Sequence, residues 1–184
     1  MAEPEKQYPG LLHPLSMMRR ASGLPSLEYN VIEPDDLPGP YRQLLAHDGD
    51  MTSRLENAYQ SMIQVRPLHS SNDGKNYFRE VILETIESSP RPVEYGAIEI
   101  QLTQLPEVAR EAVIAGEKPL GGILNQGRIY YACSLRGFFQ INPDQSILKA
   151  LGIKGSPSLF GRSNRIENRI GETIAQIVEI LPIV

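Results

Sequence analysis

The sequence predicts an α+β fold in which helices flank a single antiparallel β-sheet. Several segments rich in Val, Ile, Thr, Tyr and Phe are bounded by Pro, Gly, Asn or Asp, which is typical of strands. Helical patterns are short and do not alternate regularly with these segments, which favours an antiparallel sheet over a parallel one. The length of 184 residues is that of one domain.

Each element is delimited by residues that begin or end regular structure. Ser53 and Glu56 have the spacing of a helix capping box, while Pro106 and Gly116 fit the first turn and the C-cap of another helix. The predicted helices are 40–46, 53–60, 106–115 and 146–151, with a short turn at 121–125. The predicted strands are 61–68, 77–87, 93–102, 128–135 and 173–181.

The N-terminal segment differs in composition from the rest of the chain. Six prolines occur between residues 1 and 38, and no hydrophobic period is sustained there. We therefore expect a Pro-rich N-terminal arm over 1–36 that lies extended against a folded domain over 37–184.

Composition excludes several classes of function. With 18 Lys and Arg against 22 Asp and Glu, the net charge is −4, which argues against a nucleic-acid partner. The single cysteine, Cys133, excludes an intramolecular disulfide, and the three scattered histidines make a metal site improbable, so no metal is expected. We expect a cytoplasmic monomer without a membrane span.

Two charged residues break the apolar pattern of predicted strands. Arg79 shares one strand face with Val81 and Leu83, and Glu179 shares one with Ile177 and other apolar residues. A guanidinium among apolar neighbours needs a carboxylate from the protein or from a ligand. Glu179 fits either an exposed edge, a structural partner for an arginine, or a ligand contact. Together the two residues suggest a shared pocket.

One further segment concentrates positive charge. Arg162 and Arg165 lie in the Gly-Arg-Ser-Asn-Arg sequence at 161–165, which we interpret as a Gly-rich turn. Such a turn could close over an anion, so both arginines are possible flap residues, although the pattern is more typical of a solvated loop.

Four spaced motifs resemble the chorismate lyase (chorismate pyruvate-lyase) family, especially its cyanobacterial and plastid branch. The match extends from about Leu37 to Pro182. The motifs are Leu-Leu-Ala-His-Asp-Gly-Asp-Met-Thr at 44–52, Tyr-Phe-Arg-Glu-Val at 77–81, Lys-Pro-Leu-Gly at 118–121, and Leu-Phe-Gly-Arg-Ser-Asn-Arg at 159–165 followed by Val-Glu-Ile-Leu-Pro at 178–182.

This resemblance implies helical flaps over a buried site and an enzyme that converts chorismate to 4-hydroxybenzoate and pyruvate, feeding quinone (plastoquinone) head-group synthesis. It implies no metal or organic cofactor. The family's ligand contacts correspond to Met51, Arg79, Leu120 and Glu179, with Met51 and Leu120 acting through their backbone. Arg79 and Glu179 would be the catalytic residues, one holding a carboxylate and the other orienting the ring hydroxyl.

A second class of function stays open at this point. The same fold resembles effector-sensing domains of some transcription regulators, so the chain could bind an aromatic acid without converting it. The acidic balance of charges argues against direct contact with DNA in either case.

Overall fold

A computed structural model describes residues 10–182 and confirms the α+β class. Seven strands form one antiparallel sheet in the order β1-β5-β6-β7-β4-β3-β2. The strands are β1 (Tyr29–Ile32), β2 (Ile63–Asn72), β3 (Asn76–Thr85), β4 (Pro92–Gln101), β5 (Ala132–Ile141), β6 (Leu159–Glu167) and β7 (Thr173–Leu181).

Helices cover both faces of this sheet. They are α1 (Leu15–Ala21), α2 (Gly39–Leu45), α3 (Met51–Tyr59), α4 (Glu107–Ala115), α5 (Leu120–Gln126) and α6 (Gln145–Leu151), with 3₁₀ turns at Pro34–Asp36 and Leu102–Gln104. Residues of α1 and α6 pack on one face, while α2 to α5 contribute to two apolar clusters on the other. The sheet is therefore buried on both sides, which lets charged residues in its centre be fully enclosed.

Helix α3 begins two residues earlier than the capping box predicts. Asp50 is the N-cap, and its side chain accepts a hydrogen bond from the Ser53 backbone N–H at 2.8 Å. Ser53 thus lies inside the first turn, and Glu56 accepts from Ile63 N instead of closing a box. An N-cap side chain bonds to the backbone N–H two or three residues later, and Asp50 precedes Ser53 by three residues. Asp50 therefore takes the capping role that the sequence pattern predicted for Ser53.

The N-terminal segment is more regular than an extended arm. Leu12, Leu15 and Met18 are buried, and they bring α1 into the core beneath the sheet. Strand β1 pairs with β5 at the sheet edge, with Tyr29 opposite Ile141. Spaced prolines mask these short elements in the sequence. Residues 1–9 of the predicted arm lie outside the described residues, and the boundary at 36/37 remains a prediction.

Two strands differ substantially from their predicted positions. Strand β5 continues to Ile141 because a bulge between Leu135 and Gly137 accommodates the glycine that was interpreted as the end of the strand. The segment predicted as a Gly-rich turn at 161–165 is the middle of strand β6, since Gly161 lies tightly against Phe139 and the Glu179 carbonyl oxygen. That glycine serves close packing, not a change of direction.

Among residues 10–182, none of the helices has both the length and the apolar character required to span a membrane.

Candidate functional site

A pocket lies between the sheet and the first turns of α3 and α5. Strands β4, β6 and β7 form the floor of the pocket. In their register, Glu179 of β7 lies opposite Gly96 of β4 on one side and opposite Arg162 of β6 on the other. Strand β3 adds Arg79 at one end. The apolar part of the wall comprises Met51, Val81, Leu83, Ile98, Leu120 and Ile177.

All four residues expected to contact a ligand line this one pocket. Met51 and Leu120 are the first residues of α3 and α5, and Arg79 and Glu179 come from the sheet. The backbone N–H groups in the first turn of a helix have no partner within that helix, so they bond to caps, water or ligands, as the Ser53 N–H does to Asp50. Four separated parts of the chain therefore meet at one place.

Arg79 is a buried cation without a carboxylate partner among the described residues. Its side chain is 3% exposed, and its one hydrogen bond there is from Nη2 to the Lys118 carbonyl oxygen at 3.0 Å. Within residues 10–182, the buried Nε and Nη1 atoms have no hydrogen-bond partner. Burial lowers the pKa of Arg79, which reflects the cost of desolvating the charge. An anionic ligand would relieve that cost.

Glu179, by contrast, is already paired. Its Oε2 accepts a hydrogen bond from Arg162 Nε, and both side chains are almost fully buried. Arg162 also donates to the carbonyl oxygens of Leu45 at 3.2 Å, His47 at 2.9 Å and Gly49 at 3.2 Å. Arg162 thus fixes the α2–α3 turn over the pocket from a strand position, not from a flap.

Arg165 does not line the pocket. It lies on β6 and forms an ion pair with Glu167, Nε to Oε1 at 2.7 Å, with its side chain about one-third exposed. Because alternate residues of a strand face opposite sides, Arg165 cannot share the face of Arg162 and Asn164. The flap position expected for both arginines is therefore not what the structure shows.

Sequence reasoning missed two residues of the pocket floor, Glu94 and Gly96. Both lie on β4 with Ile98, on the same strand face, and Glu94 is only 4% exposed. Burial, and then the negative charge of Glu179, raise the pKa of Glu94 well above its usual range, with Arg162 opposing the shift. The alternation of residues from Glu94 to Ile98 could have identified this strand face, because Glu94, like Arg79, is a charged residue within a largely apolar strand.

The two helix starts close over the pocket at Asp50 and Gly121. A Cβ atom on Gly121 would lie 2.9 Å from Asp50 Oδ2, so glycine permits this close approach. The Tyr131 hydroxyl lies 3.2 Å from Asp50 Oδ1 and 3.0 Å from Asn125 Oδ1, and it donates to one of the two. Helices α3 and α5 therefore meet through polar contacts above the apolar wall.

His47 lies in the α2–α3 turn that Arg162 contacts, and its titration should make the free energy of unfolding depend on pH. Burial, and then the positive charges of Arg162 and Arg54, lower its pKa to about 4. An unfolded chain takes up this proton near pH 6.5, so stability falls as the pH drops from about 6.5 to about 4. Because His47 is half-buried, we expect the loss to be about 1–2 kcal/mol.

Chemical denaturation of wild type and His47→Gln between pH 4 and 7.5 measures this effect. The variant should show a shallower fall on acidification, whereas His69→Gln, at an exposed position, should follow wild type. Parallel curves for wild type and His47→Gln would contradict the assignment.

Comparison with solved structures shows a similarity of fold. No protein-family model matches the chain, and no curated protein matches it.

Two of the similar solved structures are of PhnF from Mycobacterium smegmatis. The effector domain of PhnF aligns with a TM-score of 0.53 and 12% identity, over 72% of this chain and 88% of that domain. The longer PhnF structure aligns with a TM-score of 0.51 and 12% identity, and this chain covers 63% of it, which is less than two thirds of its length. At this identity the likeness shows the fold alone.

These comparisons correct the prediction of an enzyme. The solved structures that are similar to this chain are of PhnF and its effector domain, so the prediction of a chorismate pyruvate-lyase is contradicted. The catalytic roles given to Arg79 and Glu179 depended on that prediction. What remains is an α+β fold with a pocket that these two residues line.

Proposed function

We propose that this chain is a non-catalytic domain that binds a small ring carboxylic acid carrying a hydroxyl group, of which 4-hydroxybenzoate and chorismate are examples. The observation that carries the proposal is Arg79, a buried guanidinium whose Nε and Nη1 have no hydrogen-bond partner among residues 10–182, at one end of a pocket with a largely apolar wall.

Charge balance supports an anionic ligand. Arg162 and Glu179 neutralise each other, and burial raises the pKa of Glu94 well above its usual range, which favours its uncharged form. Arg79 is thus the cation of the pocket wall that has no carboxylate partner among the described residues. A carboxylate accepts charge-assisted hydrogen bonds from a guanidinium, and Arg79 offers Nε and Nη1 as donors without a partner among the described residues.

The pocket also favours an apolar ring with a polar far end. Between Arg79 and Glu94 the wall is apolar, and the register places these residues about 13 Å apart along the strand direction, because four residues of β3 separate their rows. At the far end the carboxyl groups of Glu94 and Glu179 provide partners for a hydroxyl. A compact ring acid with a hydroxyl group satisfies both ends.

The free cavity is small, at about 60 Å³, which holds roughly five water-sized groups. A ring acid is larger, so we expect Met51 and Leu120 to move outwards with their helices when the ligand enters. Contacts between Asp50 and Gly121 would open in the same step.

Isothermal titration of the protein with 4-hydroxybenzoate, and separately with chorismate, tests the proposal. We expect saturable binding at one site, and we expect chorismate to be recovered without release of pyruvate. Absence of binding to both acids at millimolar concentration, or formation of pyruvate, would contradict it. Cyclohexanol, which has the hydroxyl but no carboxylate, is the control ligand and should not bind.

A further inference from the structure

We propose that Glu94 determines specificity in this pocket by selecting ligands whose end opposite the carboxylate carries a neutral hydroxyl group. This inference rests on the proposed binding of a ring carboxylic acid and identifies the residue that distinguishes one such acid from another.

Position gives the first argument. Glu94 lies two residues before Gly96 on the same face of β4, and Gly96 is opposite Glu179. Glu94 and Glu179 are therefore diagonal neighbours across β4 and β7, with Cα atoms about 7–8 Å apart. Glu94 Oε1 lies 3.1 Å from the point where a Cβ atom on Gly96 would stand, so its carboxyl group extends over the glycine towards the middle of the pocket.

The second argument concerns the hydrogen bonding of the Glu94 carboxyl group. Its Oε2 atom is buried and has no hydrogen-bond partner among residues 10–182, although the residue is 4% exposed. Burying a polar atom without a partner is unfavourable, so a ligand group that forms a hydrogen bond there is favoured. The neighbouring carboxylate of Glu179 has Arg162 as its partner. The two acidic groups therefore differ in whether an oxygen atom lacks a hydrogen bond.

These two carboxyl groups have complementary hydrogen-bonding roles. An uncharged carboxyl group donates one hydrogen bond, whereas an ionised one only accepts. Burial and the negative charge of Glu179 raise the pKa of Glu94, which favours the uncharged form that can donate to the ligand oxygen, and Glu179 can accept the proton of the same group. A hydroxyl satisfies both. A carboxylate in place of that hydroxyl would face Glu179 without a cation, so a ring acid such as terephthalate is excluded.

The experiment compares benzoate, 4-hydroxybenzoate and terephthalate by isothermal titration against wild type, Glu94→Gln and Glu94→Leu. Wild type should bind 4-hydroxybenzoate at least 10-fold more tightly than benzoate and should not bind terephthalate. Glu94→Leu should reduce the ratio to about 2-fold or less with little change for benzoate. Glu94→Gln, whose amide still donates, should keep most of the ratio.

Glu99→Gln is the matched control, because Glu99 lies on the same strand but faces away from the pocket and contacts His13; it should leave the ratio unchanged. If Glu94→Leu does not fold, as judged by its thermal transition, Glu94→Met takes its place. An unchanged ratio in the apolar variant would overturn the role of Glu94 while leaving acid binding intact. Failure of wild type to bind either monoacid would instead overturn the proposed function.

Discussion

Replacing Arg79 with methionine should abolish acid binding and at the same time make the protein more stable. Loss of the guanidinium should weaken binding of 4-hydroxybenzoate by about 30- to 1000-fold, since breaking a buried charge pair costs about 2–4 kcal/mol. The free energy of unfolding should rise by roughly 1–3 kcal/mol, because an unpaired buried charge is replaced by an apolar side chain. Titration and thermal denaturation measure the two effects.

The opposite signs of these effects identify a binding residue. If Arg79 had a purely structural role, its replacement would lower the free energy of unfolding of the protein. Arg20→Met, at an exposed position on α1 far from the pocket, is the control and should change neither quantity. A destabilised Arg79→Met variant that still binds the acid would show that Arg79 has a hidden structural partner and no role in recognition.

Replacing Arg162 with methionine should produce the largest loss of stability. Glu179 would remain buried without its partner and next to Glu94, and the carbonyl oxygens of the α2–α3 turn would lose their donors. Removing one partner of a buried pair costs about 3–5 kcal/mol. For a chain of this size the midpoint of thermal unfolding should fall by roughly 6–20 °C, as measured by calorimetry.

Arg165→Met provides the comparison on the same strand, because its ion pair with Glu167 is partly exposed and should contribute less than about 1 kcal/mol. The double variant Arg162→Met with Glu179→Leu should recover part of the loss, since it no longer leaves a buried charge. Equal effects of Arg162→Met and Arg165→Met would contradict the central position of the Arg162–Glu179 pair.

The sequence predicts the long elements of this fold better than its short ones. Strand β7 is predicted at its observed bounds, and α4 lies within one residue of its prediction, because their apolar periods and the flanking Pro106 and Gly116 are unambiguous. Strand β6 was not predicted because Gly161 suggests a turn. In the structure this position is a glycine within a strand, because a side chain there would clash with Phe139. Close packing of this kind is not visible in a linear pattern.

The candidate site shows the same division. Arg79 and Glu179 stand out because each is a charge in an apolar strand, and the structure places both in one pocket. Their partners could not be inferred, since only the order of strands reveals that Arg162 reaches Glu179 while Arg79 reaches no carboxylate among the described residues. Arg79 and Glu179 give similar signals in the sequence, but in the structure Glu179 belongs to an ion pair and Arg79 does not, among the described residues.

A crystal structure of the protein with 4-hydroxybenzoate is the most direct measurement of how the pocket recognises its ligand. We expect the carboxylate within hydrogen-bond distance of Arg79 Nε or Nη1, and the hydroxyl between Glu94 and Glu179. A ligand bound away from Arg79, bound in the reverse orientation, or absent from the pocket at saturating concentration would contradict the account.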